Sequence, residues 1–192
     1  DLISFTQKAA ARLEAHLGQP IDWDWIDNSL TWLGTGAAGE WREVRPNIWE
    51  DPFGVQWDRH VDRDIGVVCN SRITPETLDD YRFPEIKDMA CLADFTDERT
   101  EFVVVDLGFS LFERAWTLAG METILMGMLD NAPFVNTLLD RILEFNLRVI
   151  DDACRYRIDA MLFGDDWGQQ TGLIMGPELW REFFKPRVAQ MY

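Results

Sequence analysis

The chain has 192 residues, room for one ordinary domain, and its 34 acidic against 18 basic residues give a formal charge of −16. That balance lacks the positive footprint of a nucleic-acid or anionic-membrane binder, and no apolar run approaches the ~20 residues that cross a bilayer, so neither nucleic acid nor membrane is an expected partner. Three cysteines and two histidines lie far apart, without Cys-x-x-Cys, His-x-Cys or His-Glu-x-x-His spacing; no metal site or disulfide frame is predicted within the chain, and a reduced, cytoplasmic setting is the simplest expectation.

Residues Ser4 to Leu17 place Phe5, Ala9, Leu13 and Leu17 at helical spacing ahead of Gly18 and Pro20, which predicts an amphipathic surface helix. From Ile21 to Gly39 the chain is rich in Trp, Asp and Gly. The run Leu33 to Gly39 reads as a flexible loop, since it lacks the Lys-Ser/Thr of a P-loop and the following helix of a dinucleotide fingerprint. Between Glu40 and Cys69, aromatic or branched residues (Trp41, Val44, Ile48, Phe53, Val55, Trp57, Ile65, Val67) alternate with charges and are broken by Pro46, Pro52 and Gly54. This predicts an antiparallel excursion of two or three strands, with His60 on an exposed hairpin. Thr74-Pro75-Glu76-Thr77 predicts a short capped helix through Tyr81, ended by Phe83-Pro84.

The run Glu101 to Gly108 is a buried-type strand ending at Asp106 and Gly108. Helical patterns follow over Ser110 to Leu118, Met121 to Leu129 and Pro133 to Arg157, the last with Phe134, Leu138, Ile142, Phe145, Val149 and Ala153 on one stripe. A second buried-type strand from Ile158 stops at Gly164, two adjacent acids, an indole and two amides. Strand, helical crossover and strand make a parallel β-α-β unit, expected to be right-handed. A last helix begins near Met175, with Pro177 at its start, Trp180, Phe183 and Phe184 turned inward, and Arg181, Lys185 and Arg187 forming a solvated face.

Ligands in α/β folds collect beyond the carboxyl ends of parallel strands, which makes Asp165 and Asp166 the candidate catalytic residues. Neighbours on a strand face opposite ways, so one acid is expected in the pocket and the other to cap a helix or face solvent; the sequence does not choose between them. Trp167 is a substrate wall or packing, and Gln169 and Gln170 are ligand donors or loop amides. Asp106 faces the pocket or bonds to the turn at Gly108. Arg114 holds a substrate carboxylate or forms an exposed pair with Glu113.

Phe163-Gly-Asp-Asp-Trp-Gly-Gln-Gln-Thr-Gly-Leu-Ile-Met175, followed by Pro177-Glu-Leu-Trp-Arg-Glu-Phe-Phe-Lys-Pro-Arg187, resembles the uroporphyrinogen decarboxylase superfamily. Asp106 to Glu122 and Asp51 to Trp57 fit the same family, and the similarity runs from about Trp41 onward. The resemblance implies a (β/α)8 TIM barrel, which takes roughly 250 residues. Residues 1–192 are therefore expected to be a single incomplete barrel domain, truncated, with the antiparallel β excursion near residues 40–69 inserted in it. The first strand would precede Asp1 or be degenerate, and further β/α units would follow Tyr192.

Two chemistries are implied by the superfamily. One is methyl transfer from a small methylated substrate to a corrinoid protein or a thiol, often with zinc; the spelling Phe-Gly-Asp-Asp-Trp-Gly-Gln-Gln with Phe-Glu-Arg-Ala-Trp upstream resembles that methyltransferase-like branch. Its zinc ligands, a His-x-Cys pair and a later Cys, would lie after Tyr192, with none in this fragment. The alternative is cofactor-free uroporphyrinogen III decarboxylation in porphyrin (heme) biosynthesis. The decarboxylase's arginine-rich N-terminal motif would fall before Asp1; against that reading stands Trp116, which occupies the place of the decarboxylase's tyrosine and becomes a substrate-binding candidate. A non-enzymatic binding or assembly module is a third reading, because a barrel fragment leaves open sheet edges.

Overall fold

The computed structural model describes residues 11–20, 30–34 (backbone only), 39–89, 92–93, 101–130 and 133–192. The architecture is mixed α/β. A parallel sheet in the order β1 (Leu30–Gly34), β6 (Phe102–Phe109), β7 (Ala160–Gly164) lies beside an antiparallel sheet in the order β2 (Arg42–Arg45), β3 (Ile48–Glu50), β4 (Gln56–Asp58), β5 (Val67–Val68). Among the described residues no closed barrel is formed.

The strand β6 is the centre of the parallel sheet because Val103, Val104 and Val105 are buried together, as a strand covered on both faces requires. It pairs with β1 from Leu30↔Phe102 to Gly34↔Asp106, and with β7 from Val104↔Ala160 onward. The strand β1 is a feature that sequence reading passed over as loop. Residues 35–38 of the expected glycine loop, and residues 4–10 of the expected N-terminal helix, lie outside the described residues; positions 11–17 are helical, with Leu13 and Leu17 exposed.

Near its end β6 bulges, its register with β7 shifting between Asp106 and Phe109. Gly108 adopts φ 70° there, and a Cβ on Gly164 would meet the Gly108 carbonyl oxygen at 2.9 Å. Glycine at 164 thus follows from the close approach of two backbones, which the bond from the Ser110 N–H to the Gly164 carbonyl at 2.8 Å holds together.

The crossover from β6 to β7 consists of α1 (Phe112–Ala119), α2 (Met121–Leu129) and α3 (Pro133–Ala153). Gly120, at φ 92°, separates the first two. The apolar stripe of α3 buries Val135, Leu138, Ile142, Phe145, Val149 and Ala153, whereas Phe134 is only half-buried. After β7, a small hairpin of β8 (Gly168–Gln169) and β9 (Gly172–Leu173) leads into a helix in three contiguous parts: α4 (Gly176–Leu179), a π turn (Trp180–Phe184) and α5 (Lys185–Met191). The π turn has a local cause. Pro186 has no N–H to give to the fourth carbonyl back, and its ring crowds that carbonyl; the helix widens just before it, and the Lys185 N–H bonds to Trp180, five residues back.

The antiparallel sheet has four strands where two or three were expected, and the chain leaving β5 is tied to the crossover. Backbone N–H groups of Arg72 and Ile73 donate to the Leu118 carbonyl at the end of α1, at 2.8 and 3.1 Å. Residues 75–80 form turns, not the short helix expected after Thr74. The Thr77 hydroxyl bonds to the Thr74 backbone at 2.9 Å, and only isolated i→i+4 bonds such as Leu78 to Thr74 form. Arg187 is a further correction: it is buried, not solvated. It grips α3 through Asp140 Oδ1 (2.8 Å from Nε) and Asn136 Oδ1 (3.0 Å from Nη2) and donates to the Phe183 carbonyl at 2.5 Å. Arg181 and Lys185 are exposed as expected.

Candidate active site at the carboxyl ends of the parallel strands

The α1 helix begins at Leu111, a residue with no side-chain acceptor, so its first N–H groups have no local cap. The cap comes from across the sheet. Asp165, just past the end of β7, accepts from the Glu113 N–H at 2.7 Å through Oδ1, and from the Phe112 N–H at 3.0 Å through Oδ2. The same Oδ2 accepts from the Trp167 indole N–H at 2.6 Å. One carboxylate therefore fixes the start of α1 and the orientation of an aromatic wall. Trp167 also meets Trp180 edge-on at 5.3 Å between ring centres.

The two acids differ in setting, although both lie past the end of β7, where the alternation of a strand no longer applies. Asp165 is half-buried and holds backbone, while Asp166 is exposed and gives its backbone N–H to the Glu113 carboxylate. Burial pushes the Asp165 carboxyl above the usual carboxylate range, against the pull of its N–H donors. Glu113 is likewise raised, first by burial and then by the charges of Asp166 and Asp165, with the Asp166 N–H pulling the other way.

Beneath this acidic rim lies a cavity of about 20 Å³, lined by Ser110, Phe163, Asp165, Trp167, Met191 and Tyr192 among others. It has space for about one water molecule. The Ser110 carbonyl takes a bond from the buried Asn146 amide at 3.1 Å, and Phe163 packs edge-on against Tyr192 at 5.1 Å. Ser110, Asn146 and Tyr192 went unnoticed in the sequence, where nothing in the local pattern marks them.

The other sequence candidates are distributed around this point. Asp106 accepts from the Gly108 N–H at 2.7 Å, the bond to its own turn. Gln169 and Gln170 are exposed at the β8–β9 hairpin, and Trp116 is half-buried on α1. Arg114 differs from both of its expected states. It is buried, pairs with Asp51 at 2.7 Å and lies over the Phe53 ring at 3.8 Å, so it forms neither an exposed pair with Glu113 nor an open carboxylate clamp. Asp51, equally buried, also accepts from the Phe53 and Val55 N–H groups, each at 2.9 Å. Its acceptor bonds offset part of the desolvation cost of a buried pair.

Among the described residues no group of three His, Cys, Asp or Glu is placed to hold a metal ion, and no helix is long and apolar enough to cross a membrane. Comparison with models of protein families, with curated proteins and with solved structures yields no match to this chain.

Proposed function

We propose that the chain is part of a (β/α)8 barrel enzyme of the uroporphyrinogen decarboxylase superfamily, in its methyltransferase-like branch, taking a methyl group from a small methylated substrate. The observation that carries this reading is the order of the parallel strands. The strands β1, β6 and β7 lie side by side in chain order, as successive strands of a barrel do. Acids collect at the carboxyl ends of β6 and β7, where barrel enzymes keep their chemistry.

The charge of that rim favours methyl transfer over decarboxylation. A polycarboxylate tetrapyrrole asks for arginines, yet the cavity lining contains no basic residue, and the neighbouring Arg114 is committed to Asp51. Glu113, Asp165 and Asp166 suit a neutral or cationic methyl donor. In this reading Asp166, exposed beside the strand end, meets the substrate; Asp165 positions α1 and Trp167; Trp167, Gln169 and Gln170 form the wall and lip. The methyl acceptor is a corrinoid protein or a thiol. The zinc ligands of that branch, a His-x-Cys pair and a later Cys, are not among the described residues.

The test is to supply the full-length protein that carries this chain with methylated amines, sulfides and aryl ethers together with cob(I)alamin, and to follow methylcobalamin by absorbance. Turnover of at least one donor, lost in Asp166→Asn with unchanged circular dichroism, is the expected result. Carbon dioxide release from uroporphyrinogen III with no methyl transfer would replace this reading by the decarboxylase, and neither activity would remove both.

A further inference from the structure

Residues 82–86 and one face of α3 enclose an open groove of about 490 Å³, within the size range of small-molecule sites. Arg141, Glu144 and Arg148 stand at i, i+3 and i+7 on α3 and so share that face. Phe83 and Ile86, both half-buried, supply an apolar wall opposite.

The arginines are held without being neutralised. Arg141 donates to the Leu78 carbonyl, and at 2.6 Å to the Tyr81 carbonyl, with its guanidinium 5.3 Å from the centre of the Phe83 ring. Arg82 donates to the Asp79 and Tyr81 carbonyls at 2.6 and 3.1 Å. Carbonyl oxygens fix a guanidinium but leave its charge in place, and the carboxylates of Glu85 and Glu144 line the same groove without forming an ion pair with any of the three. Arg148 is exposed, with no hydrogen bond or ion pair among the described residues. Three positive charges against two negative leave the groove locally cationic on a chain of charge −16. Screening over about 8 Å at physiological ionic strength keeps that field distinct from the acidic surface beyond it.

We propose that this groove binds a small organic anion, its carboxylate or phosphate held by Arg148 with the charge of Arg141 behind it and its apolar body laid on Phe83 and Ile86. The site shares no residue with the one at the strand ends and does not depend on the reading of that site. Benzoate and phenyl phosphate, which carry the same body on different oxyanions, are the probes for calorimetric titration. Saturable binding of at least one, with Kd about 1 mM or tighter, is expected, and the tighter probe identifies the oxyanion. Affinity should fall as salt is raised and weaken at least about tenfold in Arg148→Ala, where the charge-assisted bonds are lost. Arg181→Ala, which removes an exposed arginine elsewhere, should leave it unchanged. Failure of both probes to saturate, or equal weakening in the two variants, would overturn the proposal.

Discussion

Asp165 and Asp166 are adjacent and chemically identical, and the structure assigns them very unequal weights in stability. In Asp165→Ala the Phe112 and Glu113 N–H groups lose their cap and the Trp167 indole loses its acceptor. Taking a lost cap at about 1–2 kcal/mol and the stranded indole N–H at about 1–2 more, the expected cost is about 2–4 kcal/mol. Asp165→Asn keeps the shape. With its oxygen in the Oδ2 place it retains Phe112 and Trp167, but it turns its NH2 on the Glu113 N–H, a loss of about 1–2 kcal/mol. Asp166→Asn, at an exposed carboxylate, should fall within about 0.5 kcal/mol of the parent. Urea unfolding followed by circular dichroism gives all three. If Asp165→Ala costs no more than Asp166→Asn, the desolvation that raises the Asp165 pKa cancels its hydrogen bonds, and the cap across the sheet contributes nothing.

Three further outcomes follow from neighbouring features. Asp51→Ala leaves Arg114 buried without its counter-charge and two N–H groups without an acceptor, so a loss of about 3–5 kcal/mol is expected by chemical denaturation; a loss below 1 kcal/mol, on the scale of an exposed pair, would mean water reaches the guanidinium. Gly164→Ala puts a Cβ 2.9 Å from the Gly108 oxygen and should destabilise by about 1–3 kcal/mol, while Gly168→Ala, with open space around it, should not; equal melting temperatures would show that the bulge yields freely. Glu113 and Asp165 both have folded-state pKa values above their unfolded ones, so the unfolded chain releases these protons first. Stability should therefore fall as pH rises from about 4 through the raised values and stay lower above them. Glu113→Gln should narrow the gap in melting temperature between about pH 5 and about pH 7, and an unchanged gap would place the pH dependence elsewhere.

The fold was legible wherever a segment's own pattern decides its structure. Three consecutive valines announce the buried centre of β6, the helix over Met121–Leu129 matches its expected bounds, and the stripe of α3 is correct except at its first turn, where Phe134 stays half-buried. Where partners decide, the sequence was silent. Residues Leu30–Gly34 carry too short an apolar run to read as a strand, and become one only by pairing with β6. The Thr74 turn has good helix-start residues, but its side chains bond to the backbone in ways that stop propagation. The candidate site was located by the rule about strand ends, yet the division of labour between its two acids was not. The donors that claim Asp165 lie 52 and 53 residues away, and the acid that claims Arg114 lies 63 away.

The π turn ahead of Pro186 also sets what kind of change this part of the chain can absorb. It accommodates one residue more than an α-helix of the same span, so the turns beyond it keep the phase of an unbroken α-helix one residue shorter. Adding a residue within Trp180–Phe184 would exceed what the wide turn absorbs and swing the following turns by about 100°, carrying Arg187 away from Asp140 and Tyr192 away from Phe163, whereas losing one would leave them in phase. Between α4 and α5 the chain can therefore lose a residue but not gain one, even at exposed positions such as Arg181 and Glu182. The exposed stretch over residues 61–64, where Val61 is almost wholly in solvent, has a different character: it lies between Arg59 and Gly66, which are held in place, and can change length in either direction.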